Sequence, residues 1–381
     1  MTDRPKHPHG GRVEEAAKNL GLAPGDILDF SANINPQGPP RGLRAFLASA
    51  LGSITHYPEI DARSLTESLA ANAGLPAWSI LAAAGTTPLI HLLASSLFHG
   101  KNCVLAPAFS GYEDAFGLAW PGAVHFHPLN ESTAFLLTQK DTDGITGQGF
   151  GSIILANPAN PTGRLVPPEC LHALLRASTR QGFWLIVDEA FMGFCGRDES
   201  LEGLILDNPR LIVLKSMTKL FAIPGLRLGY MACGNRQAME TFSRRLEPWA
   251  INSLAQKAGP FLLAKKAYAK KTPKITALLR DYLTGSLSPY FDFLPSDCNF
   301  VMASLKGALN GAPGPPTKRK AAGITAAKKD LIDYLYGHGI LIRDLDGISG
   351  LRDGYVRLAV RPKNEVDRLR QTLEAYHAQA R

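Results

Sequence analysis

Three apolar segments in the middle of the chain each end in polar residues. They are GSIILANPANPTG (Gly151–Gly163), FWLIVDEAF (Phe183–Phe191) and LIVLKSMTK (Leu211–Lys219). Each apolar run predicts a buried strand, and the turn residues after it predict where the strand stops. In open parallel α/β sheets, ligands bind outside the carboxyl ends of the strands. We therefore expect the asparagines, Asp188 and Lys219 to meet in one crevice.

Lys219 lies between two residues that can bind a phosphate group. Ser216 precedes it by three residues and Arg227 follows it by eight. Serine supplies a hydroxyl donor, and arginine supplies a bidentate fork. A lysine that forms a Schiff base with a phosphorylated cofactor needs that phosphate close by. The spacing makes Lys219 a candidate for this chemistry, although a surface turn with a lysine also matches S-x-x-K.

The succession N-P-x-N-P-T-G, D-E-A and S-x-T-K, with an arginine eight residues later, resembles the fold-type I pyridoxal-phosphate enzymes, the aspartate aminotransferase superfamily. The resemblance implies that Lys219 links to pyridoxal 5'-phosphate, that Asp188 pairs with the pyridinium nitrogen, and that Asn160 hydrogen-bonds the ring hydroxylate. A carboxylate beside the ring nitrogen keeps it protonated, which lets the ring accept electrons. A helix-capping role is the alternative for Asp188. The same motif adds Ser216, Thr218 and Arg227 to the cofactor-binding residues.

A glycine turn predicts the other half of the phosphate site. AAAGTTPLIHLLASSLF (Ala82–Phe98) indicates a turn that opens a helix. The backbone amides and hydroxyls of Gly85, Thr86 and Thr87 can then hold a phosphate at the helix N-terminus.

Two aromatic residues gain roles from the resemblance alone. PAFSGY is similar to the family segment whose last aromatic stacks on the pyridine ring, which implies this role for Tyr112. An ordinary core tyrosine is the alternative. HYPEID is similar to the segment in which a tyrosine reaches the neighbouring subunit's cofactor phosphate. Tyr57 therefore implies a homodimer.

The two ends of the chain narrow the reaction. HGGR (His9–Arg12) and LDFSANINPQGPP (Leu28–Pro40) closely resemble the threonine-phosphate decarboxylase family, and the likeness continues through FAIPGLRLGY, EPWAINSLA, GILIRDL and YVRLAVR. It implies decarboxylation of L-threonine O-3-phosphate to (R)-1-amino-2-propanol O-phosphate, for assembly of the nucleotide loop of cobalamin and other cobamides. The substrate contacts that it implies are His9, Gly10, Asn33, Asn160, Arg343 and Arg357.

The chemistry of such a substrate agrees with two arginines. An amino acid phosphate carries a carboxylate and a phosphate, and two guanidinium groups can grip both anions. Surface ion pairs are the alternative for the arginines, and simple exposure is the alternative for His9. Phe191 stands where many aminotransferases have a tyrosine, three residues after Asp188. Without that phenol, Asn160 is the main partner of the ring hydroxylate, a pattern that the decarboxylases share.

Two other functions remain open at this stage. Decarboxylation and transamination differ in which bond of the substrate stands perpendicular to the ring, and the sequence does not contain that angle. A histidinol-phosphate or other amino acid aminotransferase is therefore the main alternative. A pyridoxal-phosphate-binding transcription regulator is disfavoured, because such proteins carry an added DNA-binding region and this chain begins at the apparent substrate arm.

The predicted fold class is α/β, in the fold-type I architecture. A large domain over 46–270 has a mostly parallel sheet flanked by helices, and a smaller α+β domain combines 1–45, the substrate arm, with 271–381. A chain of 381 residues is long enough for two such domains. FDFLP, NFVMASL, DLIDYLYGHGILI and YVRLAV predict the elements of the small domain. The glycine- and proline-rich segment 307–323 predicts an exposed loop.

Composition excludes several other classes of protein. The net charge of +8 comes from short runs such as KKAYAKK without a nucleic-acid-binding motif, so we expect a solvated helix face and no nucleic-acid partner. The five cysteines form neither a C-x-x-C pair nor a histidine cluster, which predicts no metal and no disulfides. No signal core or long apolar run occurs, so a cytoplasmic protein without a membrane partner is expected.

Overall fold

The computed structural model describes residues 10–97, 100–196, 199–307 and 318–379. The strands are β1 (Leu28–Asp29), β2 (Ile80–Ala83), β3 (Asn102–Ala106), β4 (Val124–Pro128), β5 (Ser152–Ala156), β6 (Trp184–Asp188), β7 (Leu211–Ser216), β8 (Gly229–Cys233), β9 (Phe291–Phe293), β10 (Phe300–Leu305), β11 (Ile340–Leu341), β12 (Arg343–Asp344) and β13 (Tyr355–Ala359). The helices are α1 (Val13–Leu20), α2 (Leu43–Ala50), α3 (Arg63–Ala73), α4 (Thr86–Ser96), α5 (Ser110–Ala119), α6 (Gln139–Thr146), α7 (Pro168–Gln181), α8 (Met217–Leu220), α9 (Arg236–Arg245), α10 (Ser253–Leu263), α11 (Lys266–Leu287), α12 (Lys318–Gly337) and α13 (Lys363–Gln379).

The main sheet has the strand order β2-β8-β7-β6-β5-β3-β4. The neighbours from β4 through β7 pair in parallel, whereas β8 runs antiparallel to both β7 and β2. The central strands are buried on both faces, as parallel strands covered by helices require. Because side chains alternate along a strand, Ile153 joins the apolar cluster on one face and Ile154 joins the cluster on the other. The predicted α/β architecture with a mostly parallel sheet is confirmed.

A second, antiparallel sheet has the order β12-β13-β10-β9. Its outer face packs against α11, α12 and α13 through a cluster that includes Leu283, Val301, Leu331, Val356 and Leu369. The predicted strands and helix of this region are all present. A short parallel pair, β1 with β11, joins the N-terminal segment to the C-terminal third.

The domain boundaries at residues 46 and 270 stay a prediction. Helix α11 runs without a break from Lys266 to Leu287 and so crosses the second of these positions. A single helix thereby connects the main sheet to the second sheet.

The predicted loop over 307–323 is wrong at its C-terminal end. Helix α12 already begins at Lys318, while residues 308–317 lie outside the described part of the chain. All the glycine and proline residues that indicated a loop, except Gly323, lie at or before Pro316, and the lysine, arginine and alanine residues of 318–322 are strong helix formers.

The structure also bears on the predictions about cysteines, metal sites and membrane-spanning segments. All five cysteines are buried, and none of them forms a disulfide. The described residues contain no cluster of three or more side chains suited to a metal ion, and no helix among them has the length and apolar character to cross a bilayer.

Candidate functional site

A cleft of about 390 Å³ lies at the carboxyl edge of the main sheet and faces the second sheet. Strands β2, β3, β5, β6 and β7 all deliver their following residues to it. The sequence-predicted residues that line it are Gly10, Asn33, Gly85, Thr86, Thr87, Tyr112, Asn160, Asp188, Ser216, Thr218, Lys219, Arg227, Arg343 and Arg357. Tyr57 lies on the surface of the chain, and His9 lies outside the described residues. The individual roles of these residues stay predictions.

Lys219 occupies the short helix α8, directly after β7. Burial lowers the pKa of Lys219 from 10.5 to about 8, and the positive charges of Arg227 and Arg357 act in the same direction. Asp188 opposes this effect only in part. A lysine with a lowered pKa releases its proton more easily, so its amine is a better nucleophile near neutral pH.

Lys215, the other lysine of this strand and helix, has a different environment. Its Nζ lies 2.6 Å from Glu189 Oε2 and 3.6 Å from Glu202 Oε2, and it donates to Ser200 Oγ at 2.8 Å. Burial alone would lower the pKa of Lys215, but the two carboxylates outweigh burial and raise it. Lys215 is therefore a protonated structural cation, and of these two lysines only Lys219 has a lowered pKa.

Asp188 is held at the end of β6 by two hydrogen bonds. The Tyr112 hydroxyl donates to Asp188 Oδ2 at 2.7 Å, and the Ala190 amide donates to Oδ1 at 2.9 Å. Burial raises the pKa of Asp188, and burial together with Asp188 raises the pKa of Tyr112 well above its usual range. A protonated ring nitrogen beside this carboxylate would stabilise its ionised form.

The contact of Tyr112 with Asp188 is a hydrogen bond, whereas the predicted contact of Tyr112 is stacking on the cofactor ring. That stacking stays a prediction. A second aromatic residue, Phe109, also lines the cleft and meets the Tyr112 ring edge-on, with 5.6 Å between centroids. No function was predicted for Phe109 from the sequence. It precedes the first residue of α5, a position that carries no periodic signal.

An anion site is formed where β2 meets α4. Gly85 has φ +91° and immediately precedes the first residue of α4. A Cβ at this position would lie 2.7 Å from Arg227 Nη2, so only glycine lets the guanidinium approach the helix N-terminus. The Ser216 and Thr218 hydroxyls are 2.7 Å apart in the same cleft. A helix N-terminus, an arginine and two hydroxyls match a phosphate group.

Arg357 is a buried cation whose partners are neutral. Its Nη1 donates to Asn160 Oδ1 at 2.5 Å, its Nη2 donates to the Ser31 carbonyl at 2.8 Å, and its Nε has no hydrogen-bond partner. Burial lowers the pKa of Arg357 to about 9, and the charge of Arg343 contributes. No carboxylate in the described part of the chain forms an ion pair with Arg357. A buried arginine in this condition favours an anionic ligand.

The N-terminal arm meets Arg357 through Ser31. The Gly11 amide donates to Ser31 Oγ at 2.9 Å, and Gly10 packs so closely that a Cβ would lie 2.4 Å from the Ser31 carbonyl oxygen. Asn33 is buried nearby with its Oδ1 unpartnered. The arm and the second sheet therefore place their polar groups over one end of the cleft.

Residues 345–354, which we call the cleft segment, were missed by the sequence analysis. Leu345 and Ile348 line the cleft, and the Ser349 hydroxyl donates to Glu113 Oε2 on α5 at 3.2 Å. Arg352 and Tyr355, at its end, both donate to Glu131 Oε1. Its apolar residues Leu345, Ile348 and Leu351 recur every third position over too short a stretch to predict a helix or a strand, so its position depends on tertiary contacts.

The donor set fits a phosphorylated pyridine aldehyde. The anion site suits its phosphate, the Asp188 carboxylate suits its ring nitrogen, and Lys219 Nζ suits its aldehyde. The cleft volume also falls in the range of cofactor and ligand sites, about 300–1,000 Å³.

Gly85→Ala is expected to lower the affinity for pyridoxal phosphate by at least about 10-fold, because the new methyl group strains the backbone and displaces Arg227. Titration of cofactor-free protein, followed by absorbance, measures it. Gly74→Ala is the matched control, since Gly74 also has positive φ (+69°) but nothing lies within 4 Å of its Cβ position. Equal cofactor affinity in the two variants would contradict the assignment.

Residues 25–373 match the family model described as Aminotransferase class I and II. The chain is 32% identical to the threonine-phosphate decarboxylase of Salmonella typhimurium strain LT2, over 95% of this chain and 94% of the relative. A solved structure of L-threonine-O-3-phosphate decarboxylase from Porphyromonas gingivalis is 25% identical with a TM-score of 0.76, covering 92% and 100% of the two chains. The histidinol-phosphate aminotransferase from Clostridium acetobutylicum is 25% identical with a TM-score of 0.80, covering 93% and 100%.

Proposed function

The chain belongs to the class I and II aminotransferase family, and from this premise we propose that it is the decarboxylase of L-threonine O-3-phosphate. It is a fold-type I enzyme, and its cofactor is pyridoxal 5'-phosphate. The observation that carries the proposed substrate is the pair of arginines, Arg343 and Arg357, that faces Lys219 across one cleft. The identity of 32% with a threonine-phosphate decarboxylase over nearly the whole chain supports decarboxylation as the reaction.

Pyridoxal phosphate, when bound, supplies the electron sink for the bond that breaks at the substrate's α-carbon. Lys219 Nζ would hold its aldehyde carbon, and Gly85, Thr86, Ser216 and Arg227 would hold its phosphate. The remaining cofactor-binding residues in the proposal are Thr87, Tyr112, Asn160, Asp188, Thr218 and, from the neighbouring subunit, Tyr57. Asp188 keeps the proton on the ring nitrogen, and Tyr112 fixes the orientation of that carboxylate.

The substrate's two anionic ends are assigned to the two arginines. We assign the carboxylate to Arg357, by its position in the family, and the phosphate to Arg343. Asn33, with its unpartnered Oδ1, and the arm residues His9 and Gly10 complete the substrate contacts. Lys219, in its ammonium form, would be the group that delivers a proton to the substrate's α-carbon and returns to the neutral amine.

The product would be (R)-1-amino-2-propanol O-phosphate, the amino alcohol of the cobamide nucleotide loop. We place the enzyme in the cytoplasm, where cysteines that form no disulfide stay reduced. A fluorescent fusion in the native host would test this location, and secretion would contradict it.

Product analysis tests the reaction directly. Purified holoenzyme is incubated separately with threonine phosphate, with serine phosphate, and with histidinol phosphate plus a 2-oxo acid. Mass spectrometry of the first reaction is expected to find aminopropanol phosphate and one carbon dioxide per substrate. Catalytic formation of an amino acid from the 2-oxo acid, without carbon dioxide, would establish the aminotransferase alternative instead. Serine phosphate lacks one methyl group, a difference worth about 1–3 kcal/mol, so it serves as the specificity control.

A homodimer is part of the proposal. Tyr57 is 82% exposed and packs at a tilt of 34° against the exposed ring of Trp249, with 4.7 Å between centroids. Ile54 and Ile60 are also exposed nearby in the chain, and a group of exposed apolar residues favours a protein interface. Light scattering is expected to give twice the chain mass of 41.1 kDa. A monomer with full activity would contradict both the dimer and the role of Tyr57.

Tyr112→Phe is expected to lower kcat by about 10- to 100-fold, because a hydrogen bond to a charged group contributes about 1.5–3 kcal/mol. The cofactor should still bind. Tyr230→Phe is the matched control, since the Tyr230 hydroxyl also donates to a carboxylate, Glu202 Oε1, at 2.7 Å but does not reach the cleft. Steady-state kinetics of both variants measure the effect, and equal kcat losses would refute a specific role for Tyr112.

A further inference from the structure

Lys328 is a buried charge on the apolar face of a helix. Along α12, Ile324, Leu331 and Leu335 are buried, and Lys328 lies on the same face at i+4 from the first and i−3 from the second. Its side chain is 1% exposed. Burying a lysine is costly unless it is well paired, and an apolar residue of similar size is often at least as stable. Stability alone therefore does not explain this lysine.

The partners of Lys328 are two aspartates that flank the cleft. Its Nζ donates to Asp344 Oδ1 at 2.5 Å and also forms an ion pair with Asp346. Asp344 directly follows the cleft residue Arg343, and Asp346 belongs to the cleft segment. Both carboxylates therefore lie on the stretch of chain that presents Arg343.

Two carboxylates at this position create an electrostatic problem for an anionic substrate. They would attract the Arg343 guanidinium and repel a phosphate or carboxylate that approaches it. Lys328 engages both carboxylates, and Arg343 forms no ion pair with any residue that the structure describes. Arg343 lines the cleft, and the Asp344 charge that acts on it is shared with Lys328.

The same pairs connect α12 to the cleft segment. Asp346 Oδ1 accepts a hydrogen bond from the Gly354 amide at 2.9 Å, which links the start of the segment to its end. Asp344 Oδ1 accepts one from the Asp346 amide at 3.0 Å. Lys328 thus reaches the residues that shape the cleft wall without touching the cleft.

We infer that Lys328 is a positioning residue for substrate binding, which by pairing with Asp344 and Asp346 keeps Arg343 available to an anionic group of the substrate. This inference rests on the proposed substrate-binding function of Arg343. It concerns the affinity for the anionic substrate and leaves the cofactor chemistry unchanged.

Kinetics of holoenzyme carrying Lys328→Met test the inference, with threonine phosphate as the substrate. The KM is expected to rise at least about 10-fold, while kcat changes by less than about 3-fold and the cofactor absorbance is unchanged. Adding Asp344→Asn and Asp346→Asn to this variant should return the KM to within about 3-fold of wild type, because the amides retain the acceptor oxygens without the charges. A purely structural lysine would not be rescued in this way.

Lys306→Met is the matched control. Lys306 Nζ pairs with Asp292 Oδ1 at 2.8 Å beside the same sheet but does not line the cleft, so its KM should remain at the wild-type value. An unchanged KM in Lys328→Met, a fall in kcat alone, or failure of the triple variant to recover would each overturn the inference.

Two further measurements apply if Lys328→Met does not fold or if threonine phosphate is not the substrate. If Lys328→Met does not fold, Asp346→Asn alone is used, and its KM should be no higher than that of wild type, since Lys328 then serves one carboxylate. A 10-fold higher KM for Asp346→Asn would overturn the inference. If wild-type enzyme turns over histidinol phosphate and not threonine phosphate, the proposed function fails, and the same variants are compared on histidinol phosphate.

Discussion

Lys219→Ala is expected to abolish turnover while the protein remains folded. In the proposed function, Lys219 supplies both the amine that holds the cofactor and the proton that reaches the α-carbon, so kcat should fall by at least about 10³-fold. Removing a positive charge close to Arg227 and Arg357 relieves repulsion, which is why the free energy of unfolding should change little. Absorbance spectroscopy should find that the band of covalently bound cofactor is lost, and thermal unfolding should find a Tm near that of wild type.

Lys215→Ala is the matched control for this experiment, because Lys215 lies four residues away and has the opposite properties. It should keep the covalent cofactor but lose about 3–5 kcal/mol of stability, since the Glu189 carboxylate would remain buried without its cation. A Lys219→Ala protein that retained both the cofactor band and normal decarboxylation would require Lys215 to be the cofactor lysine, and the assignment of the cleft would fail.

Arg357→Ala is expected to cost about 2–5 kcal/mol in transition-state stabilisation, equivalent to a fall in kcat/KM of roughly 30- to 5,000-fold. The variant removes a charge-assisted contact from a buried position, and it leaves the cofactor phosphate site intact. Arg343→Ala should behave similarly. Steady-state kinetics on threonine phosphate measure the loss, and the cofactor absorbance reports occupancy.

Two controls define what the arginine contributes. Arg357→Lys keeps the charge but not the planar fork that bonds Asn160 and Ser31 together, so it should recover only part of the activity. Arg280→Ala removes an arginine that donates to the Cys298 carbonyl at 3.0 Å but does not line the cleft, and its kinetics should be normal. If Arg357→Ala released the cofactor, or left kcat/KM unchanged, the substrate assignment of the C-terminal strand would be refuted.

Local sequence signals located most of the cleft but not the contacts within it. Asn160, Asp188 and Lys219 were predicted to converge because apolar runs mark strands and parallel strands end at one edge. The bond from Tyr112 to Asp188 was not predicted, since it spans 76 residues and depends on how α5 packs against β6. Motif spacing identifies which residues enter a site, whereas the atoms that touch are decided by tertiary packing.

The burial of Lys328 and the position of the cleft segment could not be predicted from the sequence either. A lysine in a sequence is expected to be solvated, and its burial becomes evident only when α12 is placed against residues 344–346. The antiparallel direction of β8 could not be predicted for a similar reason, because a run of apolar residues indicates a strand but not the direction in which it runs. The helical start of α12 at Lys318 was masked by the composition of the residues before it.

The cleft is lined by residues from both sheets, and the ribosome synthesises these residues at different times. Gly85, Asp188, Lys219 and Arg227 lie within one continuous stretch of the chain, so all of them have been translated before the second sheet exists. Arg357 comes last, and its bond to Ser31 closes a loop of 326 residues. Contacts of such long range can form only when almost the entire polypeptide has left the ribosome. The residues that one chain contributes to the proposed cofactor site can thus assemble during translation, whereas the proposed substrate site must wait until the chain is nearly finished.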